Sequence, residues 1–393
     1  PPPGALSPEV KGMSRLRSAC TTAAATAAVT VLAAVPSTAA PEPGGVAALL
    51  TQLKSLYQQA EAAGEAYNTT EQALAKQRTA ATKAGGGLAE ARAALARGRS
   101  AAGALARAQY RGTPELSGYL QLLLSDDPER AVEQQHMLAR AARGTVATES
   151  LLVHSKQQAD AAAAKSGAVL AKQQRLAALK KRQRDTAESK LRQVESLLAA
   201  LPSSTLAQVA ALDRGQTSAA QQDFVDSGAL GPQGRAARPA TPTAAGAAAL
   251  RYAVRQIGKP YAWGAVGPAS FDCSGLTSTA WAHAGVKVPR TSEEQWRALP
   301  HVPLDRLRPG DLVVYFPKAT HVAIYLGDGK VVQAPHPGAR VKVSPIAANP
   351  LLGAVRPDPA GPALSPAAYR PPVLPAGAEQ GTDTGSDVAA PAE

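Results

Sequence analysis

Cys273 stands in the run Phe271-Asp272-Cys273-Ser274-Gly275-Leu276, directly ahead of a helical pattern in which Leu276, Ala280 and Ala284 share a face. A cysteine at a helix start meets unpaired N–H groups and the positive end of the helix dipole, and both favour the thiolate. The ordinary thiol pKa of about 8.5 is expected to fall there by about a unit or more. A nucleophilic thiol also needs a base. His321 opens a β-rich run downstream, in the Cys-then-His order of papain-type enzymes. Its imidazole can take the thiol proton and give it to a leaving amine. The ordinary alternatives are a cysteine packed as a small hydrophobe and a structural histidine. This chemistry requires no metal and no cofactor.

A third group must orient the imidazole, and strand register decides which one it is. Side chains alternate along a strand, so residues 321, 323 and 325 share a face. If His321 lies opposite Pro335, Gln333 is its diagonal neighbour. A slip of one residue brings His336 opposite instead. Either side chain could hold the tautomer, and the residues alone leave both open.

The elements that must position these groups are legible in outline. Ala247–Ile257 reads as a helix stopped by Gly258, and Cys273 begins the next one, to about Ala284. Thr291 or Ser292 caps a short helix through Trp296. Strands are expected at Leu312–Phe316, His321–Leu326, Lys330–Ala334 and Arg340–Val343, with a fifth at Gly353–Arg356. Gly327-Asp328-Gly329 is a hairpin turn. Helices followed by an antiparallel sheet make residues 244–358 an α+β domain.

Ahead of it, residues 45–201 read as an all-α antiparallel coiled-coil hairpin. Val46, Leu53, Ala60, Tyr67, Leu74, Ala81, Leu88, Leu95 and Ala102 step by seven, with a partial second row at plus three. Gly85-Gly86-Gly87 predicts a weak point or kink, each Gly costing about 1 kcal/mol against Ala. The pattern breaks near Arg111–Pro114, a short apolar helix is expected at Leu116–Leu124, and a second arm runs from about Glu129 to Leu201, with Pro128 in its cap. Residues 202–243, rich in Gly and Pro, read as a flexible linker, with a possible short helix at Leu206–Leu212. Residues 359–393 read as a disordered Pro/Ala-rich tail.

The 393 residues carry 42 Lys/Arg against 30 Asp/Glu, a formal charge of +12, and only 4% aromatic residues. Most of the excess lies in the hairpin, with 21 Lys/Arg and 11 Asp/Glu between Glu71 and Arg192. A solvated helical face accounts for this, and so does attraction to anionic wall polymers. Nucleic acid is disfavoured, since no aromatics interleave with the charge. Arg15 and Arg17, an apolar run from Ala19 to Val35 and small residues up to Ala40 have the order of an export signal. Residues 1–40 are therefore read as an upstream extension and signal peptide. A cut after Ala40 removes Cys20 and leaves Cys273 as the lone cysteine of an exported chain.

Five stretches in order resemble the NlpC/P60 family of cell-wall cysteine peptidases, over residues 249–357. They are Pro260-Tyr261-Ala262-Trp263-Gly264, the run around Cys273, Pro289-Arg290-Thr291-Ser292, Arg308-Pro309-Gly310-Asp311-Leu312, and His321 through Gly327. The coiled coil resembles the N-terminal part of secreted actinobacterial members. The resemblance implies a papain-like fold and a peptidoglycan substrate, cut in its stem peptides between γ-linked D-glutamate and diaminopimelate. It implies Cys273 as nucleophile, His321 as base and Gln333 as the third, orienting residue. Tyr261 would line the site, with Asp272 and Ser274 as substrate contacts. Ala265 departs from the family, where a second Gly often follows Trp-Gly. The location implied is secreted and wall-associated.

Two other readings stay open. One is a non-catalytic regulator whose coiled coil recruits another wall hydrolase as its protein partner. The other is a muramoyl-alanine amidase on the same fold. With a flexible joint at 202–243, the hairpin could also cover the Cys273 cleft until moved or clipped.

Overall fold

The computed structural model describes residues 43–111, 128–231 and 241–380. The export-signal reading of residues 1–40, the short helix at 116–124 and the tail beyond 380 lie outside the described residues.

Two long helices dominate the N-terminal part, α1 (Pro43–Arg111) and α2 (Pro128–Ala199). Their contacts run in opposite senses. Glu71 pairs with Lys180, Gln77 Nε2 donates to the Val169 carbonyl at 2.9 Å, and Gly98 lies against Leu152. The arms are therefore antiparallel. The seam is tightest at its base, where Val46, Leu50, Leu53, Leu56 and Tyr57 bury against Val194 and Val209. Away from the base, Tyr110, Met137 and Val146 are exposed. The three-glycine run produces no break, and α1 is continuous through it. A side chain at Gly85, Gly86 or Gly87 would meet nothing within 4 Å, so these positions cost helix propensity but no packing.

The stretch read as a flexible linker is different in the structure. It holds a 24-residue helix, α3 (Ser203–Asp226). This helix touches both halves of the molecule. Buried Asp213 pairs with Lys54 of α1 at 2.8 Å. Gln221 donates to the Gly329 carbonyl at 3.2 Å and accepts from the Ala347 N–H at 3.1 Å, and Phe224 packs on the sheet with Leu230. The sequence signal for a linker was its Gly and Pro content, but those residues flank α3 or end it; within the helix only Gly215 remains.

Three short helices follow: α4 (Ala244–Val254), α5 (Cys273–His283) and α6 (Ser292–Ala298). Thr243, Asp272 and Thr291 cap them through side-chain oxygens. The six strands are β1 (His301–Val302), β2 (Leu312–Tyr315), β3 (His321–Gly327), β4 (Lys330–Gln333), β5 (Lys342–Pro345) and β6 (Leu351–Val355). They form one antiparallel sheet in the order β1-β6-β2-β3-β4-β5. Two-residue β1 was too short to leave a sequence signal. Alternation splits the sheet into two buried faces. Leu312, Val314, Val322, Ile324 and Val332 pack with Leu250, Leu276 and Trp281 of α4 and α5. Val313, Tyr315, Ala323, Tyr325 and Val331 pack with Leu230, Leu307 and Ile346. The sequence expectation of an all-α hairpin followed by an α+β domain is the fold observed.

The tail is a further departure. As far as residue 380 it lies on the domain rather than free of it. Thr243 bridges Ala363, the Val343 N–H donates to the Ala378 carbonyl at 2.8 Å, and Ala378 is buried. Low hydrophobicity hid this, because the segment is held largely through backbone hydrogen bonds, Leu364 N–H to the Pro242 carbonyl among them, with only Leu374 and Ala378 packed on the core.

Candidate active site

Asp272 builds the site's frame. It is fully buried in extended backbone as the N-cap of α5, and its Oδ1 accepts from the Gly275 N–H at 2.6 Å. Its Oδ2 accepts from the Gly264 N–H at 2.8 Å, tying down the loop that carries Tyr261 and Trp263. Arg290 grips both carboxylate oxygens, at 2.6 and 3.0 Å. Asp272, read from the family pattern as a substrate contact, thus has its oxygens occupied within the protein. Gly275 must be glycine, because a Cβ there would lie 2.1 Å from the Ala265 carbonyl oxygen.

Cys273 follows as the first residue of α5. The Val322 N–H bonds its sulfur, which places the thiol beside the start of β3 and next to His321. The β3–β4 register pairs Ile324 with Val332, and its continuation sets His321 opposite Pro335. Gln333 is accordingly the residue that meets His321, with Oε1 2.6 Å from Nε2. Gln333 Nε2 in turn donates to Ser344 Oγ on β5 at 2.8 Å. A carbonyl oxygen only accepts, so this contact sets a proton on Nε2 and leaves Nδ1 for other chemistry. His336 points elsewhere: its ring stacks on Tyr57 with centroids 4.0 Å apart. Tyr261 is buried, and its hydroxyl pKa is pushed well above the ordinary value by burial first and then by the Cys273, Asp272, Glu61 and Glu65 charges.

The sequence reading missed what covers these groups. Tyr57, which also belongs to the base of the seam, begins a stripe on α1 with Glu61, Gly64, Glu65 and Asn68, and the stripe lies on the site. Glu61 Oε1 is 2.9 Å from His321 Nδ1, an ion pair when the ring is protonated. Glu65 Oε1 accepts from Ser274 Oγ at 2.7 Å and lies 3.9 Å from the Cys273 sulfur. Its Oε2 accepts from the Ser292 N–H at 2.8 Å and Oγ at 3.0 Å. Asn68 Nδ2 donates to Asp272 Oδ2 at 3.0 Å. The only sequence cue was a polar i, i+4, i+7 set around a helical glycine, and that pattern is common on solvated helices.

The thiol's environment reverses the sequence expectation. Cys273 is 1% exposed, and its pKa is raised well above the ordinary value rather than lowered. Burial is the main cause, followed by the Glu65, Asp272 and Glu61 charges. The helix N-terminus still favours a thiolate, but desolvation and three nearby acids outweigh it.

Glu65 is itself raised to about 7, by burial first and then by Asp272 and Glu293, against the Ser274 and Ser292 hydrogen bonds. A carboxyl raised above its unfolded value stabilises the folded chain fully below about pH 4.5, and that contribution is lost as pH rises through about 7. A neutral glutamine lacks this dependence. The melting temperature of Glu65→Gln relative to wild type is therefore expected to rise between pH 5 and pH 8. Paired melting curves across that range check it, and a constant difference would contradict the assignment.

Residues 258–352 match the NlpC/P60 family. Similar proteins include a probable endopeptidase of Corynebacterium glutamicum, 46% identical over 99 residues, covering 25% of this chain and 47% of the relative. The peptidoglycan endopeptidase RipA of Mycolicibacterium smegmatis is 40% identical over 125 residues, covering 27% and 25%. A probable endopeptidase of Mycobacterium tuberculosis is 38% identical over 110 residues, covering 28% and 29%. The chain thus spans less than half the length of each of these curated relatives. The family match over residues 258–352 takes in Cys273, His321 and Gln333, so the C-terminal part of this chain holds an NlpC/P60 domain.

Proposed function

We propose that this protein is a secreted peptidoglycan hydrolase that cuts stem peptides by a Cys273–His321 thiol mechanism. The observation that carries the reading is the chain of contacts at the site. The sulfur begins α5 beside β3, His321 is the first residue of β3, and Gln333 holds the His321 ring from β4.

In the uncovered site the thiol gives its proton to His321 Nδ1, and the thiolate attacks the peptide carbonyl carbon. The Cys273 backbone N–H, which as the first residue of α5 has no intrahelical partner, helps to hold the oxyanion. His321 passes the proton to the departing amine as the C–N bond breaks, leaving a thioester. Water then loses a proton to His321 and adds to the thioester carbonyl. The carboxylate product leaves, and the proton returns to sulfur. Gln333 is uncharged, so it orients the ring without contributing charge.

The bond proposed is γ-D-glutamyl-diaminopimelate, and the role is wall remodelling or daughter-cell separation. The basic hairpin is suited to anionic wall polymers, where its Lys and Arg side chains would replace counterions. Mass spectrometry of the fragments released from purified sacculi tests the reading. Products ending in D-glutamate, with a new diaminopimelate amine, are expected. Release of intact stem peptides from muramic acid would instead identify an amidase, and no release from uncovered enzyme would leave the regulator reading.

A further inference from the structure

We propose that Ser344 is a positioning residue for the Cys273–His321 chemistry. Its hydroxyl fixes which end of the Gln333 amide faces the imidazole, and so which ring nitrogen is left to take the thiol proton. The inference rests on the hydrolase reading above and adds a fourth residue to it.

Three side chains step diagonally across neighbouring strands. His321 opens β3, Gln333 ends β4 and Ser344 lies in β5. The β4–β5 register sets Gln333 opposite Lys342, so Ser344, two residues further along β5, is its diagonal neighbour on the same face. His321 stands in the same diagonal relation to Gln333 on the other side, and only a long side chain reaches across such gaps. Gln333 spans both. Its Oε1 lies 2.6 Å from His321 Nε2, and its Nε2 donates to Ser344 Oγ at 2.8 Å. All three residues are buried, where polar atoms seldom stay unpaired. The end of the amide that Ser344 takes therefore decides the end that meets the ring.

That amide has a right end and a wrong end. Its oxygen only accepts and its NH₂ group only donates. Oxygen against the ring keeps a proton on Nε2 and leaves Nδ1 bare when the ring is neutral. An NH₂ group against the ring would need a lone pair on Nε2 and would put the proton on Nδ1. A ring in that tautomer cannot take a proton from the thiol at Nδ1. A carboxylate at this position would have no such ambiguity, because both of its oxygens accept. The two ends of glutamine differ little in shape, so the choice must come from what the far end touches.

Ser344 supplies an acceptor for the NH₂ group when the oxygen is turned to the ring. A hydroxyl can also donate to a flipped amide, but the reaction selects against that arrangement. Once His321 holds the thiol proton, both ring nitrogens donate, and only the oxygen end of Gln333 suits Nε2. The Ser344 hydrogen bond also polarises the amide, which strengthens the grip of Oε1 on the imidazolium N–H. Ser344 further lines a cavity of about 220 Å³ between α3, β5 and Glu379. There is room beside it for a methyl group, so threonine can keep the hydroxyl in place.

The test uses the full chain. Ser344→Ala and Ser344→Val both remove the hydroxyl, the second with a side chain that strands favour. Ser344→Thr keeps it. Melting curves establish which variants are folded. The first readout is the ¹⁵N shift of His321 Nε2, identified among the six histidines by its loss in His321→Gln. Wild type and Ser344→Thr are expected to show a protonated Nε2, and the Ala and Val variants a shift towards the unprotonated form. The second readout is fragment release against sacculus concentration. Here kcat is expected to fall about tenfold or more without the hydroxyl, with KM unchanged, and Thr restores it. In a Gln333→Ala background, Ser344→Ala is expected to cost nothing further, because Ser344 acts through that amide. Folded Ala and Val variants with wild-type Nε2 shift and kcat overturn the proposal and leave the hydrolase standing. A loss of kcat that persists undiminished in Gln333→Ala also overturns it, since Ser344 would then act on the fold. Wild type that releases nothing, with an Nε2 shift that follows the hydroxyl as expected, upholds the role of Ser344 at the ring and overturns the hydrolase reading.

Discussion

Cys273→Ala is expected to lower fragment release from sacculi by about 10⁴-fold or more, to the level of buffer alone. Alanine keeps the helix start, the Asp272 cap and the backbone N–H, so only the sulfur is lost. No neighbouring group can replace it as a nucleophile. Ser274 is the nearest hydroxyl, but it donates to Glu65 and accepts from Arg290, so its hydrogen-bond partners are not the imidazole of the proposed mechanism. His321→Ala is expected to cost nearly as much, and the double variant little more than either alone, because the two residues act as one unit. The measurement is release rate from sacculi by the full chain, each variant against wild type. Residual cleavage above about 1% in Cys273→Ala would remove the thiol from the mechanism.

Asp272→Ala is expected to destabilise the catalytic domain by about 3–5 kcal/mol, the usual result of stripping one partner from a buried ion pair. Arg290 is mostly buried, with its side chain 15% exposed, and would be left without its carboxylate. The Gly264 and Gly275 N–H groups would lose their acceptor as well, one of them the cap of α5. In a domain of this size the loss corresponds to a melting temperature about 12–20 °C lower. Asp272→Asn tests the origin of the effect. It keeps an oxygen for the cap but not the charge, so an intermediate drop is expected. A change under about 1 kcal/mol in Asp272→Ala, read by denaturant unfolding, would mean that Arg290 finds another partner. Activity would fall too, since Asp272 sets the start of the helix that presents Cys273.

Much of this molecule was legible without coordinates. The heptad rows named the hairpin, because a sustained seven-residue period has few other solutions. Cys273 and the apolar pattern after it marked α5, Thr291 or Ser292 marked the start of α6, and Gly-Asp-Gly marked the β3–β4 turn, where Asp328 and Gly329 both take positive φ. Cys273, His321 and Gln333 could be nominated from residue type, order and family likeness. What failed was anything that depended on surfaces meeting. The 202–243 stretch looked like a tether because Gly and Pro were counted without knowing that they flank a helix. The tail looked loose because backbone hydrogen bonds leave no mark in side-chain pattern.

Residue types and local spacing determined which atoms this protein has available for chemistry: one thiol at a helix start, one imidazole at a strand start, and two candidates to steady it. Only the tertiary structure decided between Gln333 and His336, because strand register is a property of paired chains. Only it decided the state of the thiol, because a pKa follows from burial and from charges that arrive from distant sequence, here Glu61 and Glu65 some 210 residues away. A helix dipole can be read from a local run, but desolvation by another helix cannot.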